Sequence, residues 1–154
     1  MLIALFLCIG FMLAILYIDL MFDVTALPYR RTRAALPKTV LDPITHYYGR
    51  ITQNPYLLMF VMLVTTACVV AEIVYGLAPR WVAYTSLVLI GLSAVAATAK
   101  VIPTAQRLGS GRDPDDKVTE LVHGMLPYHL VLLVNIVTLA AIQFSAVGVH
   151  TPAL

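Results

Sequence analysis

Apolar residues fall in four long blocks, from about Leu2 to Leu20, Tyr56 to Tyr75, Trp81 to Ala99 and Tyr128 to Val147. Each block has roughly the 20 residues that a helix rising about 1.5 Å per residue needs to cross about 30 Å of hydrocarbon. In lipid every backbone N–H and C=O must be satisfied within its own segment, and the strict alternation of barrel strands is missing. The pattern predicts an all-α fold, an integral membrane bundle of four transmembrane helices forming one domain over 1–154.

The polar stretches between the blocks refine this picture. Gly76-Leu77-Ala78-Pro79-Arg80 is short, so the helices it joins are antiparallel neighbours. The other two connections are long and carry helix-start signals. Asp42-Pro43, Asn54-Pro55 and Asp113-Pro114 each offer a side-chain acceptor at an N-cap and proline at the first helical position, and Asp115 and Asp116 suit a first turn. Two short cytoplasmic amphipathic helices are expected, over about 43–53 and 114–126, each bending into the next membrane helix near Pro55 and Pro127. Leu27 to Thr39 reads as an irregular loop and Gly109-Ser110-Gly111 as a turn; no internal repeat is present. The small residues Gly91, Ser93, Ala94, Ala96, Ala97 and Ala99 permit close approach and predict that the third membrane helix takes the centre of the bundle.

Composition agrees, with 60% hydrophobic residues against 12% charged, far from the balance of an ordinary soluble domain and equally far from disorder. A net charge of +2 gives no reason to expect a nucleic-acid partner. Its distribution is more informative. Arg30, Arg31, Arg33, Lys38 and Arg50 lie in the first long connection, and Lys100, Arg107, Arg112 and Lys117 in the second; the short turn has only Arg80. By the positive-inside rule both long connections are cytoplasmic and both termini lie outside, periplasmic if the membrane is a bacterial inner membrane. The first block has no positive residue before it and no small-residue cleavage pattern after it, so it reads as a retained helix. Cys8 and Cys68 sit inside apolar blocks and read as packing residues.

Ionisable residues in membrane helices are the default functional candidates. Asp19 and Asp23, four apart, share one face at the cytoplasmic end of the first helix. Lys100 ends the third helix on that side, His129 opens the fourth, and His46 and His123 lie on the expected amphipathic helices. His129, His46 and Lys100 are the catalytic candidates. Asp19, Asp23, His46 and His129 have ligand types for a divalent metal, but no recognised metal spacing occurs and pairing among these residues is the commoner role, so no metal is predicted. A haem would need a second histidine at depth; only His129 is placed for one, since His150 falls in the tail. No cofactor is implied. Glu72 near the outer end of the second helix, and Asn135 and Gln143 in the fourth, are candidates for interhelical hydrogen bonds. His46, Arg50 and Gln53 share one face of the segment containing His46-Tyr47-Tyr48-Gly49-Arg50, which suits an interfacial anchor or an aromatic ligand.

Val101-Ile102-Pro103-Thr104, Arg107-Leu108, the acidic helix start and His129-Leu130 together resemble the small four-helix membrane proteins of the anthrone oxygenase-like group, over about a third of the chain. Ala105, Val131 and Leu132 and the segment Asp19-Leu20-Met21-Phe22-Asp23 depart from that pattern. The resemblance implies an oxygenase activity with His129 and Pro103-Thr104 in the site. The residues themselves favour a non-catalytic accessory or scaffold subunit, with the bilayer and other membrane proteins, or a second copy, as partners. The alternative is a membrane oxidoreductase or oxygenase acting on an apolar aromatic or quinone-like substrate. The sequence leaves open whether the chain is an enzyme.

Overall fold

The computed structural model of the protein describes residues 1–31, 35–54 and 56–149, with side chains as far as Val147. The expected bend at Pro55 and the tail from His150 lie outside the described residues. Helix α1 spans Leu2–Thr25, α2 Lys38–Ile51, α3 Tyr56–Tyr75, α4 Arg80–Ala96, α5 Ile102–Ser110 and α6 Asp115–Val149. A short 3₁₀ turn covers Leu27–Tyr29, and a π turn over Ala97–Val101 runs α4 directly into α5. There is no strand among the described residues. Four helical runs are long and apolar enough to cross a membrane, as expected.

The expected layout is corrected in several places, among them Gly109 and Ser110, which end α5 and do not form a turn. α2 begins at Lys38, so Pro43 lies inside it and Asp42 is not its N-cap. Its buried stripe, Leu41, Ile44 and Tyr48, straddles the proline, and packing outweighs the one backbone bond that proline removes. The segment 114–126 is not a separate helix. It is the first third of α6, which runs on through Pro127 as one element. Val118, Val122, Met125 and Leu126 are buried there and His129, Leu132 and Ile136 follow, so one apolar stripe spans the proline. Nor does the third membrane helix occupy the centre. α1 packs on α3 and α6, and α4 packs on the same two, giving a square ring in the order α1, α3, α4, α6.

The turn between α3 and α4 closes with Gly76 at φ +64° and with the Leu77 amide donating to the Glu72 carbonyl at 3.1 Å. That pairing is a C-terminal cap which glycine permits without a Cβ penalty. At the opposite end α2 and α5 lie against each other, with Gly49 and Gly109 at their crossing. A Cβ on Gly109 would stand 2.6 Å from backbone atoms of Gly49, so only glycine allows this approach. The Leu36 amide donates to Thr119 Oγ1 at 2.9 Å, and Arg107 forms a fork with Asp113 at 3.0 and 3.2 Å, tying the connections down.

Two apolar cores result. One, built on Leu5, Ile9, Met12, Val69, Ile90, Ile136 and Leu139, fills the square bundle. The other, with Ile44, Tyr48, Leu108, Val122 and Met125, lies between α2, α5 and the start of α6. Val101, in the π turn, packs against both.

Candidate functional site

The buried stripe of α1 runs Leu5, Ile9, Met12, Leu16, Asp19, Asp23 at helical spacing, so the two carboxylates occupy positions where the helix turns inward. On α6 the stripe runs Met125, His129, Leu132 in the same way. Asp19, Asp23 and His129 therefore meet at the junction of the two cores. His129 is 0% exposed, Asp23 3% and Asp19 7%. Buried charge of this kind is tolerated only when paired and hydrogen-bonded.

The pairing is explicit. His129 Nδ1 lies 2.6 Å from Asp23 Oδ2, and its Nε2 lies 3.8 Å from Asp19 Oδ2. The Tyr47 hydroxyl donates to Asp19 Oδ1 at 2.7 Å, and the Tyr48 hydroxyl reaches Asp23 Oδ1 at 3.4 Å. Both phenols come from α2, and the Tyr47 ring stacks on Phe22 of α1 with centroids 4.3 Å apart. Burial first, then the neighbouring carboxylates, pushes both phenols well above the usual tyrosine range, so they remain hydrogen-bond donors at ordinary pH. An ionised Asp23 can only accept, and in that state the imidazole carries a proton on Nδ1. His129 Nε2 is enclosed and has no hydrogen-bond partner.

The His129 side chain lines a small cavity. It is a half-open cavity of about 60 Å³ bordered by Met12, Leu16, Met62, Ser93, Ala97 and His129, among others. A second chamber of about 110 Å³ adjoins it, walled by Tyr48, Thr52, Asn54, Leu57, Ile102 and Ala105, among others. Ile15, Asp19, Leu58 and Val101 belong to both. Ala97 and Val101 come from the π turn, a distortion common where helices make functional sites. Asn54 and Leu57 are exposed, so the second chamber meets the surface beside the α2–α3 connection.

The structure thus joins Asp19, Asp23 and His129 and separates His46 and Lys100 from them. His46 lies in an open groove with Asp42, Arg50, Gln53 and Gly109 and does not reach the cluster. Lys100 is exposed on the π turn, and Asp19 is partnered by Tyr47 and His129 instead. Pro103 and Thr104 lie in α5, next to the cavity-lining Ile102 and Ala105. No group of three His, Cys, Asp or Glu among the described residues is arranged to hold a metal ion, and His46 lies apart from Asp19, Asp23 and His129. Tyr47 and Tyr48 were not anticipated as partners of the carboxylates. The available signal was Tyr48 continuing the Leu41, Ile44 stripe.

A second polar group lies at the other end. Gln143 Nε2 donates to Glu72 Oε2 at 2.8 Å and to Ser86 Oγ at 3.0 Å, with all three residues buried. Asn135 donates to Ser93 Oγ at 3.5 Å, a weaker link between α6 and α4.

No family model, curated protein or solved structure matches the chain.

Proposed function

We propose that this chain is a membrane-embedded acid–base site for a small apolar aromatic or quinone-like molecule, whose oxygen approaches His129 from the cavity. The observation that carries the reading is His129, a cavity-lining residue whose Nδ1 is held by Asp23 while its enclosed Nε2 has no hydrogen-bond partner. Asp23 fixes the tautomer and the ring plane, as carboxylates do for catalytic histidines. Nε2 then accepts a proton from the bound molecule, and Asp23 with nearby Asp19 stabilises the imidazolium that forms. Tyr47 and Tyr48 satisfy the carboxylate oxygens that would otherwise face apolar walls. An oxidoreductase or oxygenase built on this site would take its electron acceptor or oxygen from outside the chain. The skew of Lys and Arg supports a cytoplasmic position for this end, with α2 and α5 lying at the membrane surface, both termini outside, and a bacterial inner membrane as the setting. Similarity of Val101-Ile102-Pro103-Thr104 and His129-Leu130 to the anthrone oxygenase-like group supports the same class of substrate.

The test is saturable binding to the full chain in lipid nanodiscs, with a panel of phenols, quinones and aryl ketones and with empty nanodiscs as blank. His129→Gln and Asp23→Asn are expected to weaken the best ligand about tenfold or more. No saturable binding, or binding that both variants leave untouched, overturns the reading.

One observation favours a second reading, an accessory or scaffold subunit of a membrane complex. Trp81, Tyr84, Val88, Leu92 and Val95 form an exposed apolar stripe along α4, able to dock another membrane helix as well as lipid. Isolation from the native membrane in mild detergent distinguishes the two. Co-migration with larger subunits supports the scaffold, and a lone chain retaining an aromatic ligand supports the site.

A further inference from the structure

At the end of the bundle closed by the Gly76 turn, Glu72 is 2% exposed, yet no Lys, Arg or His among the described residues pairs with it. The other two buried carboxyls, Asp19 and Asp23, face His129. Glu72 has only a neutral partner: its Oε2 accepts from Gln143 Nε2, which also donates to Ser86 Oγ. A buried carboxyl in a membrane helix is costly without a counter-charge and marks a functional candidate.

The oxygens left over share one outlet. Among the described residues, the enclosed side-chain atoms without a partner are two histidine nitrogens. Glu72 Oε1 and Gln143 Oε1 have no hydrogen-bond partner among these residues either, so they are not sealed in the core. Both residues border a half-open cavity of about 250 Å³. The other side chains lining it, Leu2, Leu77, Ala78, Ala146 and Val147, carry neither a donor nor a charge. The last turns of α3 and α6 also border it, and helix C-termini favour cations; only the start of α1 opposes them.

Acceptors without donors, beside aliphatic walls, call for a cation that has its own apolar part. A bare divalent ion matches poorly, because calcium and magnesium take about six or more oxygens and no group of three His, Cys, Asp or Glu is arranged to hold a metal among the described residues. An ammonium group carries N–H donors enough for both oxygens, and an attached alkyl chain suits the walls.

We infer that the Glu72 cavity binds a primary alkylammonium, its nitrogen held by Glu72 and Gln143 and its chain lying on Leu77, Ala146 and Val147. A neutral Glu72 gives up its proton to solvent as the ammonium enters, and an ionised one pairs with it directly, so the cation is recognised from either state. The site stands apart from the one at His129, which lies towards the other end of α6.

The chain has two glutamates, Glu72 and Glu120, so carboxyl-¹³C glutamate gives two resonances for the full chain in nanodiscs. Glu120, exposed and paired with Lys117, is the internal reference, and Glu72→Gln assigns the other. The probes are butylamine, neutral butanol and calcium chloride, at about pH 7 where the amine is protonated. The expected result is a saturable shift of Glu72 with butylamine, affinity about tenfold or more lower for butanol, and no saturable shift with calcium. Equilibrium dialysis with radiolabelled butylamine, against empty nanodiscs, then compares two variants. Glu72→Gln removes the charge; Leu77→Lys adds a cation at an exposed position on the cavity and leaves Glu72, Gln143 and Ser86 in place. Each is expected to weaken binding about tenfold or more. Equal affinity for butylamine and butanol would overturn recognition of the cation, and calcium binding tighter than butylamine would overturn the choice of an amine. No saturable shift at Glu72, or dialysis binding that both variants leave unchanged, would overturn the site itself.

Discussion

At the end of the bundle closed by the Gly76 turn, Glu72, Ser86 and Gln143 bring one carboxyl, one hydroxyl and one amide together from three helices. At the loop-rich end, Asp19, Asp23 and His129 come from two helices and two tyrosines from a third. Both groups are buried in a square bundle, and both join helices that the apolar core alone would leave free to slide. They differ in completeness. No enclosed side-chain atom of Glu72, Ser86 or Gln143 lacks a partner, whereas the loop-rich group keeps one imidazole nitrogen unsatisfied beside a cavity. Polar residues in membrane helices therefore separate into those whose enclosed atoms all close on one another and those whose enclosed atoms do not. The two groups differ by a leftover atom, not by the number of charges, and His123 Nε2 on α6 is likewise enclosed and unpartnered.

The most severe way to probe that contrast is to delete a carboxyl from each end. Asp23→Ala removes the partner of a fully buried imidazole, and a broken buried pair costs about 3–5 kcal/mol. Glu72→Gln keeps an oxygen to accept from Gln143 and is expected to cost within about 1 kcal/mol. Unfolding in mixed detergent micelles measures both. Equal losses would mean that the Glu72 group is as dependent on charge as the other.

A smaller effect is expected from the crossing of α2 and α5. Gly109→Ala places a methyl against the backbone of Gly49 and should destabilise by about 1–3 kcal/mol, while moving Tyr47 and Tyr48 off the carboxylates. Gly124→Ala in α6 meets nothing within 4 Å and serves as the control, gaining up to about 1 kcal/mol from helix propensity. If the two alanines behave alike, the tyrosines are not positioned by that crossing.

The smallest effect is a slope against pH. The folded pKa values of Tyr47 and Tyr48 lie above the unfolded value of about 10, so the folded chain holds protons that the unfolded chain gives up. Their contribution is complete below about pH 10 and declines as pH rises beyond it. Chemical denaturation between about pH 9 and 11 should show this decline, shallower in Tyr47→Phe. An identical slope in the variant would remove the phenol from the account.

The four helices long and apolar enough to cross a membrane were legible because length and apolarity are properties of a segment taken alone, and all four appear where the blocks of hydrophobic residues stand. The site was legible in part for a similar reason. Asp19 and Asp23 continue the inward stripe of α1, and His129 continues that of α6, so a helical repeat suffices to bring them inside. His46 and Lys100 were misplaced because proximity to the same membrane face says nothing about azimuth. His46 points into a groove on α2, and Lys100 sits on a turn that breaks the helical repeat. Pro43 and Pro127 read as helix starts and bends since local propensity is visible and packing is not. In both cases a buried stripe continues across the proline. Tyr47 and Tyr48 were hidden for the same reason, because their role depends on which helix α2 lies against.

The π turn at Ala97–Val101 has a consequence for how the chain tolerates change. Five residues there do the work of one ordinary turn of roughly 3.6, so everything downstream is rotated relative to a regular helix. A single-residue deletion in this stretch would straighten it and leave α5 on its present face, whereas regular winding with every residue kept would swing α5 by about 100°. Ala105 and Leu108 would face away from α2, and the lid of tyrosines over the carboxylates would lose its seat. The spare residue acts as a phase marker, setting the angular offset between the part of the run inside the bundle and the part that covers it.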